Sequence, residues 1–196
     1  MRNLVRLLRS ALAPLLAAAL LAFSFPVLAE DVKAEEVKAE AVLDQLFAAL
    51  RIAPDPMTAR QLDQAIWALW TNPPDPTLHE RMREALLARG TGNIAGALRL
   101  LDKLVVDFPD YAEGWNQRAT VYYMMGNFEL SIVDCAKVLE LEPRHFGALS
   151  GRALMYLQQG KRALALKDMA AALAVHPFLS ERQLFPELDR PPATQI

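Results

Sequence analysis

Three histidines, one cysteine and two recurring arginine–aspartate couples are the side chains of this chain best suited to chemistry. His79, His145 and His176 would be candidate metal ligands or general bases. No two of them have the i, i+4 spacing with a neighbouring acid that puts two imidazoles on one helix face for a metal. Each falls near a predicted helix end, where a histidine caps the helix or sits at the surface. Cys135 is the only cysteine and follows Ile132-Val133-Asp134 on the apolar side of a predicted helix. It reads as a small buried hydrophobe rather than a nucleophile, and one thiol builds no disulfide framework. The sequence has no Gly-rich phosphate loop, no Ser-x-x-Lys, no Gly-x-Ser-x-Gly and no acid pair isolated in an apolar stretch. Glu140 and Glu142 belong to a solvated helix face. The expectation is therefore no catalytic residue, no metal and no cofactor.

Arg118 and Arg152 are separated by the same interval as Asp134 and Asp168, with Glu84 and Leu100 breaking both series upstream. A recurring acid–base couple can either form ion pairs within the fold or grip an acidic ligand. A partly buried arginine needs a fixed partner, so the structural pairing is the expectation.

The interval itself organises the chain. Pro109, Pro143 and Pro177 share it, as do Gly92, Gly126 and Gly160, and Ala85, Ala119 and Ala153. Its length, about 34 residues, is that of a helix–turn–helix unit that stacks on copies of itself. Glycine suits a turn where the first helix ends in a left-handed conformation. Proline suits the stop after the second helix. Leu98, Ile132 and Leu166 share one site; Leu101, Cys135 and Met169 the next; Leu104, Val138 and Ala172 a third. This stripe buries one face of each second helix. Ala97, Ser131 and Ala165 are small where paired helices approach closely.

The units are predicted at 78–111, 112–145 and 146–179. Upstream, 30–77 holds a charged, alanine-rich leader and a helical hairpin. Leu46, Phe47 and Leu50 lie on its first helix, and Trp67 and Trp70 on its second, which Thr58 is expected to cap. Downstream, 180–196 holds Leu184, Phe185 and Leu188 in a short terminal helix that covers the open end of the last unit, followed by a tail.

Residues 1–29 read as a secretory signal. Arg2, Arg6 and Arg9 precede an uncharged run from Ala11 to Phe25, and Val27-Leu28-Ala29 has the small-x-small form of a cleavage site. An uncleaved anchor is the alternative, against which the run is short and broken by Pro14. Cleavage near Ala29 removes three arginines and no acid. That leaves 18 basic side chains against 23 acidic ones, a net charge of −5. No basic patch for a phosphate backbone remains, so nucleic acid is excluded as a partner. The mature form is expected in the periplasm or cell envelope, off the membrane.

The three units resemble tetratricopeptide repeats. The second carries Trp115, Ala119, Tyr122, Gly126, Phe128, Ser131, Val138 and Pro143 at the family's large, small, aromatic and proline sites. The third keeps Leu149, Ala153, Tyr156, Gly160, Ala165, Ala172 and Pro177. The first keeps Ala85, Gly92, Ala97, Leu104 and Pro109, with Arg81 and Ala88 in place of the aromatics. In the same register Trp67 and Trp70 take core sites of a degenerate fourth unit, read here as an N-terminal cap.

The resemblance implies an all-α fold, a right-handed α-solenoid with helical caps. Its first helices would line a concave groove that holds a peptide or protein partner. Groove candidates are Met82, Leu86, Arg89, Asn116, Thr120, Tyr123, Met124, Leu154, Leu157 and Gln158, together with His79, Glu113 and Ser150. Exposed Tyr123 and Met124 are adaptable contact residues, whereas Tyr122 should face the core. The carboxylate clamp that some members use on chaperone tails is not carried over, because Met82, Leu86, Gln117, Gly147 and Gly151 stand at those sites. A non-catalytic interaction scaffold is the expected function. The alternatives are a self-associating module stacking through Trp67 and Trp70 or the terminal helix, a membrane-anchored adaptor, and an enzyme with an unrecognised site.

Overall fold

The structure, a computed structural model, describes residues 30–189. The expected signal segment and the last few residues of the tail lie outside the described residues. The described residues divide into two units, 30–41 and 42–189. The first is helical and nearly every side chain is exposed.

The second unit is all helical among its described residues. Residues 42–51 form α1, followed by α2 (Pro56–Thr71), α3 (Pro76–Gly90), α4 (Ile94–Asp107), α5 (Ala112–Met124), α6 (Phe128–Leu141), α7 (Phe146–Gln158) and α8 (Arg162–Val175). The pairs α3–α4, α5–α6 and α7–α8 pack antiparallel, and each pair packs on the next through α4–α5 and α6–α7. This is the expected α-solenoid of stacked helical hairpins.

The turns inside the hairpins follow from three glycines. Gly92, Gly126 and Gly160 have φ of 79°, 76° and 71°, a region that costs any residue with a Cβ. The residue after each glycine donates its N–H back to the first helix: Asn93 to Ala88, Asn127 to Tyr122 and Lys161 to Tyr156, at 2.9, 2.9 and 2.8 Å. That bond, with the glycine's own N–H, satisfies carbonyls the helix end would otherwise orphan. Ala85, Ala119 and Ala153 lie at most 2% exposed, as do Ala97, Ser131 and Ala165. The paired helices therefore meet through small side chains, and the Ser131 hydroxyl donates to the Ala119 carbonyl across the contact at 2.7 Å.

Three local expectations need correction. Asp55, not Thr58, caps α2: its carboxylate accepts from the Met57 and Thr58 N–H groups, both at 2.9 Å. Pro56 then takes the first helical position, where its fixed φ suits the helix and its missing N–H costs nothing, so α2 starts before Thr58. The terminal cap is two 3₁₀ turns, Ser180–Leu184 and Pro186–Asp189, rather than one helix, because Pro186 has no N–H to continue the first. The cap still buries Phe185 completely against α7 and α8. Tyr122 is half-exposed beside Arg118 rather than in the core.

The α1–α2 hairpin takes a position that the repeat register does not specify. It lies along the row of turns that join the repeats. The Tyr111 hydroxyl donates to the Trp70 carbonyl. The Trp70 ring stacks on His145 with centroids 4.0 Å apart and planes 5° off parallel. Leu43, Phe47, Leu50, Ile66 and Trp70 form one core with Phe146 and Val175, and Leu179 packs against it. Arg144 ties the edge, bonding Asp44 at 2.5 Å and lying over the Phe47 ring at 4.4 Å. The hairpin thus packs on the third repeat as well as beside the first.

Candidate functional site

The expected groove divides into a covered part and an open part. Met82 is fully buried among Leu78, Leu104 and Val105, so it lines no groove. Leu86 and Leu157 are half-buried against the cores of the first and third hairpins. Glu113, Asn116 and Ser150, expected on the inner wall, are also buried. Met82 faces its own partner helix α4, through Leu104 and Val105, rather than the inner wall.

Glu113 is the hub of a buried polar cluster. Its carboxylate accepts from Gln117, from Asn116 at 3.1 Å and from His145 Nε2 at 2.9 Å. His145 Nδ1 accepts the Ala148 N–H at 3.1 Å and so caps α7. That bond leaves the proton on Nε2, the nitrogen facing Glu113. Arg89 reaches the same cluster, donating to Gln117 Oε1 at 2.5 Å. With both side chains wholly buried, the His145–Glu113 pair has no route to a substrate and serves as a structural tie between α5 and α7.

The open part is a cleft of about 140 Å³ between α5 and α7. Asn116, Thr120 and Tyr123 stand on the α5 side, Leu154 and Met155 on the α7 side, and Ser131 and Cys135 lie at its base. Gly147 and Gly151 leave the N-terminal half of the α7 wall without side chains. Four expected groove residues, Asn116, Thr120, Tyr123 and Leu154, are thereby brought together. Gln158 joins at the rim, donating to the Tyr123 hydroxyl at 3.3 Å. Met124 is exposed but is not part of the cleft wall. No charged side chain lines the cleft. Burial pushes the Cys135 thiol up to about 12, so it stays protonated and unreactive at neutral pH.

The two glycines of α7 are not equivalent. A Cβ on Gly151 would meet nothing within 4 Å, while one on Gly147 would lie 2.8 Å from the Trp67 ring. Gly151→Ala is expected to stabilise the fold by about 0.5–1 kcal/mol, the ordinary gain for alanine over glycine inside a helix. Gly147→Ala is expected to destabilise it by about 1–3 kcal/mol through overpacking. Urea unfolding of the two variants reads the opposite signs.

A second, polar cavity of about 370 Å³ opens between α2 and the end of α8. Asp63 and His176 face each other there at 3.9 Å. Burial pushes the His176 pKa below the ordinary value, with Asp63 opposing, and pushes that of Asp63 up, with His176 opposing. The unfolded chain therefore takes up the histidine proton at higher pH than the folded one. The stability this gives is complete above about pH 6.5 and is lost as pH falls through the lower folded value. Asp63 acts with the opposite sign and nearer pH 4, where the folded chain protonates first. The expected result is a Tm that drops as pH falls below about 6.5, with a smaller drop in His176→Gln, measured by circular dichroism.

Among the described residues, no group of three His, Cys, Asp or Glu is placed to hold a metal ion. No helix among them is long and apolar enough to cross a membrane.

Comparison with known proteins agrees with this architecture. The sequence model for the Tetratricopeptide repeat matches residues 112–145. A TPR repeat-containing protein of Rhizobium etli is 39% identical over 135 residues, 69% of this chain and 66% of that protein. The human DnaJ homolog subfamily C member 3 is 30% identical over 109 residues, 56% of this chain but 21% of its own length. The chain thus spans just under two thirds of the first relative and about a fifth of the second. Among solved structures, the first TPR of Spaghetti (RPAP3), bound to the HSP90 peptide SRMEEVD, superposes with a TM-score of 0.50 at 20% identity, covering 55% of this chain and 91% of that one. This chain belongs to the tetratricopeptide repeat family.

Proposed function

We propose that this protein is a non-catalytic interaction scaffold that holds an extended peptide segment of a protein partner between α5 and α7. The observation that carries the reading is the uncharged cleft of about 140 Å³, open at Gly151 and rimmed by the hydroxyls of Thr120 and Tyr123, with the buried Asn116 behind them. Its size suits one apolar side chain, and its rim suits the main chain on either side of it. A preformed wall on rigid helices lowers the ordering cost of binding. The peptide held by the first TPR of Spaghetti supports a peptide as the class of ligand. The chain offers no carboxylate clamp, since Gln117 is tied to Glu113 and Arg89, and Gly147 and Gly151 have no side chains. The site of action is the periplasm or cell envelope, which the basic, apolar and small-residue order of residues 1–29 supports. Sequencing the N-terminus of the mature protein tests export: Glu30 as first residue is the expected result, and a retained Met1 removes that part of the reading.

The binding test is selection of displayed random peptides on the purified full chain and on Gly151→Leu, which fills the cleft from an open position. Peptides with a central apolar residue should be enriched on the wild type and lost on Gly151→Leu and Tyr123→Ala, with both variants folded. Equal enrichment on wild type and Gly151→Leu would remove the cleft as the site.

A further inference from the structure

The contact between the N-terminal hairpin and the third repeat has the properties of an exchangeable joint. Trp67 and Trp70 project from α2 onto His145, Phe146 and the bare backbone of Gly147. Their seat lies far along the chain: Asp44 and Arg144, bonded at its edge, are 100 positions apart. The segment between α2 and α3 is Asn72-Pro73-Pro74-Asp75, and each helix is closed on that segment by its own residues. Asn72 donates its backbone and side-chain N–H groups to the Ala68 carbonyl, at 3.1 and 2.7 Å, ending α2. Asp75 accepts the Leu78 N–H at 2.7 Å, starting α3. Neither cap uses the other helix, and α2 and α3 themselves touch little. A swing about the hinge would therefore break the distant seat while leaving both helices closed.

Every copy of the chain carries the same plug and the same seat. An element that leaves its own seat finds an identical one only on a second copy, the situation in which segments exchange to give a closed, two-fold dimer. We propose that the hairpin seats on the third repeat of a second copy as well as on its own, by exchange through the Asn72–Asp75 hinge. The dimer makes no contact that the monomer lacks apart from the hinge, so concentration decides between them. The single-chain form holds while the tethered hairpin outcompetes free copies, whose concentration must approach the effective concentration of a short tether. Because both forms bury the same tryptophans, they should share one near-ultraviolet spectrum.

The test unfolds the full chain and refolds it at about 1 µM and at about 1 mM, the order of magnitude at which a short tether and free copies compete. Light scattering should then report the monomer mass from the dilute sample and twice that mass from the concentrated one, with identical near-ultraviolet circular dichroism. Monomer at both concentrations overturns the proposal, as does a dimer whose tryptophan signal is that of exposed rings. A second experiment does not depend on refolding yield. Trp67→Ala/Trp70→Ala breaks the plug and leaves the seat; Gly147→Leu breaks the seat and leaves the plug. Mixed in equal amounts, the two full chains should form a heterodimer that neither forms alone. A mixture that elutes as two separate monomers overturns the exchange.

Discussion

Trp70→Ala should lower the stability of the folded chain by about 3–5 kcal/mol, the cost of emptying a large aromatic site in a packed core. For a domain of this size that corresponds to a fall of roughly 10 °C in Tm. The side chain is 7% exposed and touches four other rings: Phe47, Trp67, His145 and Phe146, at centroid distances of 5.8, 5.2, 4.0 and 5.4 Å. The stacked His145 ring cannot swing in to fill the space, because it is pinned at both nitrogens, by Ala148 and by Glu113. The loss should be local before it is global. Hydrogen exchange should accelerate across residues 42–71 while α5 to α8 keep their protection, since those helices retain their own cores. Uniform acceleration across all three repeats would show that the hairpin and the solenoid unfold as one unit.

Arg118→Ala should cost about 3 kcal/mol or more, because it strands a buried carboxylate. The guanidinium binds Asp134 through two bonds of 2.8 Å, from Nε and Nη2, and reaches Asp102 on α4 at 3.1 Å. Asp134 is 3% exposed on its side chain. The hydrogen bond to Asp134 is the main reason the guanidinium binds its proton more tightly than usual, with burial opposing. The cation also lies over Trp115 and Tyr122, at 4.8 and 5.7 Å. One side chain thus ties three helices, α4, α5 and α6. Arg118→Lys should rescue little, since an ammonium cannot present two parallel donors. Arg118→Ala/Asp134→Ala should be more stable than Arg118→Ala alone, because no unpaired charge remains. A double variant no better than the single would mean that Asp134 finds water or another donor, and the pair would be a surface feature. Arg152 and Asp168 repeat the two-bond geometry at 2.6 and 2.9 Å, so the same ordering of variants is expected there.

The structural reading of these couples follows from spacing, as does the stripe that buries Leu101, Cys135 and Met169. Where the first repeat lacks the aromatics, the structure shows a substitute: Arg81 pairs with Asp107 and lies over Phe108 at 5.4 Å. The candidate site is only partly legible in the sequence. Thr120, Tyr123 and Leu154 meet at the cleft with Asn116 buried beside them, whereas Met82 and Glu113, expected on the same wall, are buried away from it. A repeat register says which way a residue points from its own helix. It does not say what lies opposite.

One further signal lies in the repeat register itself. Tyr111, His145 and Leu179 occupy the same place at the end of successive units, and all three meet the N-terminal hairpin. Three large side chains recurring at an inter-repeat turn imply a common surface to cover.

The sequence by itself determined the helices, their turns and their pairing, because these rest on short-range terms: a glycine free to take positive φ, a proline without an N–H, and apolar residues three and four apart. Only the tertiary structure decided which inner-wall residues are buried and where the α1–α2 hairpin lies. Its docking depends on contacts between residues up to 100 positions apart. Such contacts leave no period in the chain, and they are set by shape and ring packing once the solenoid has formed.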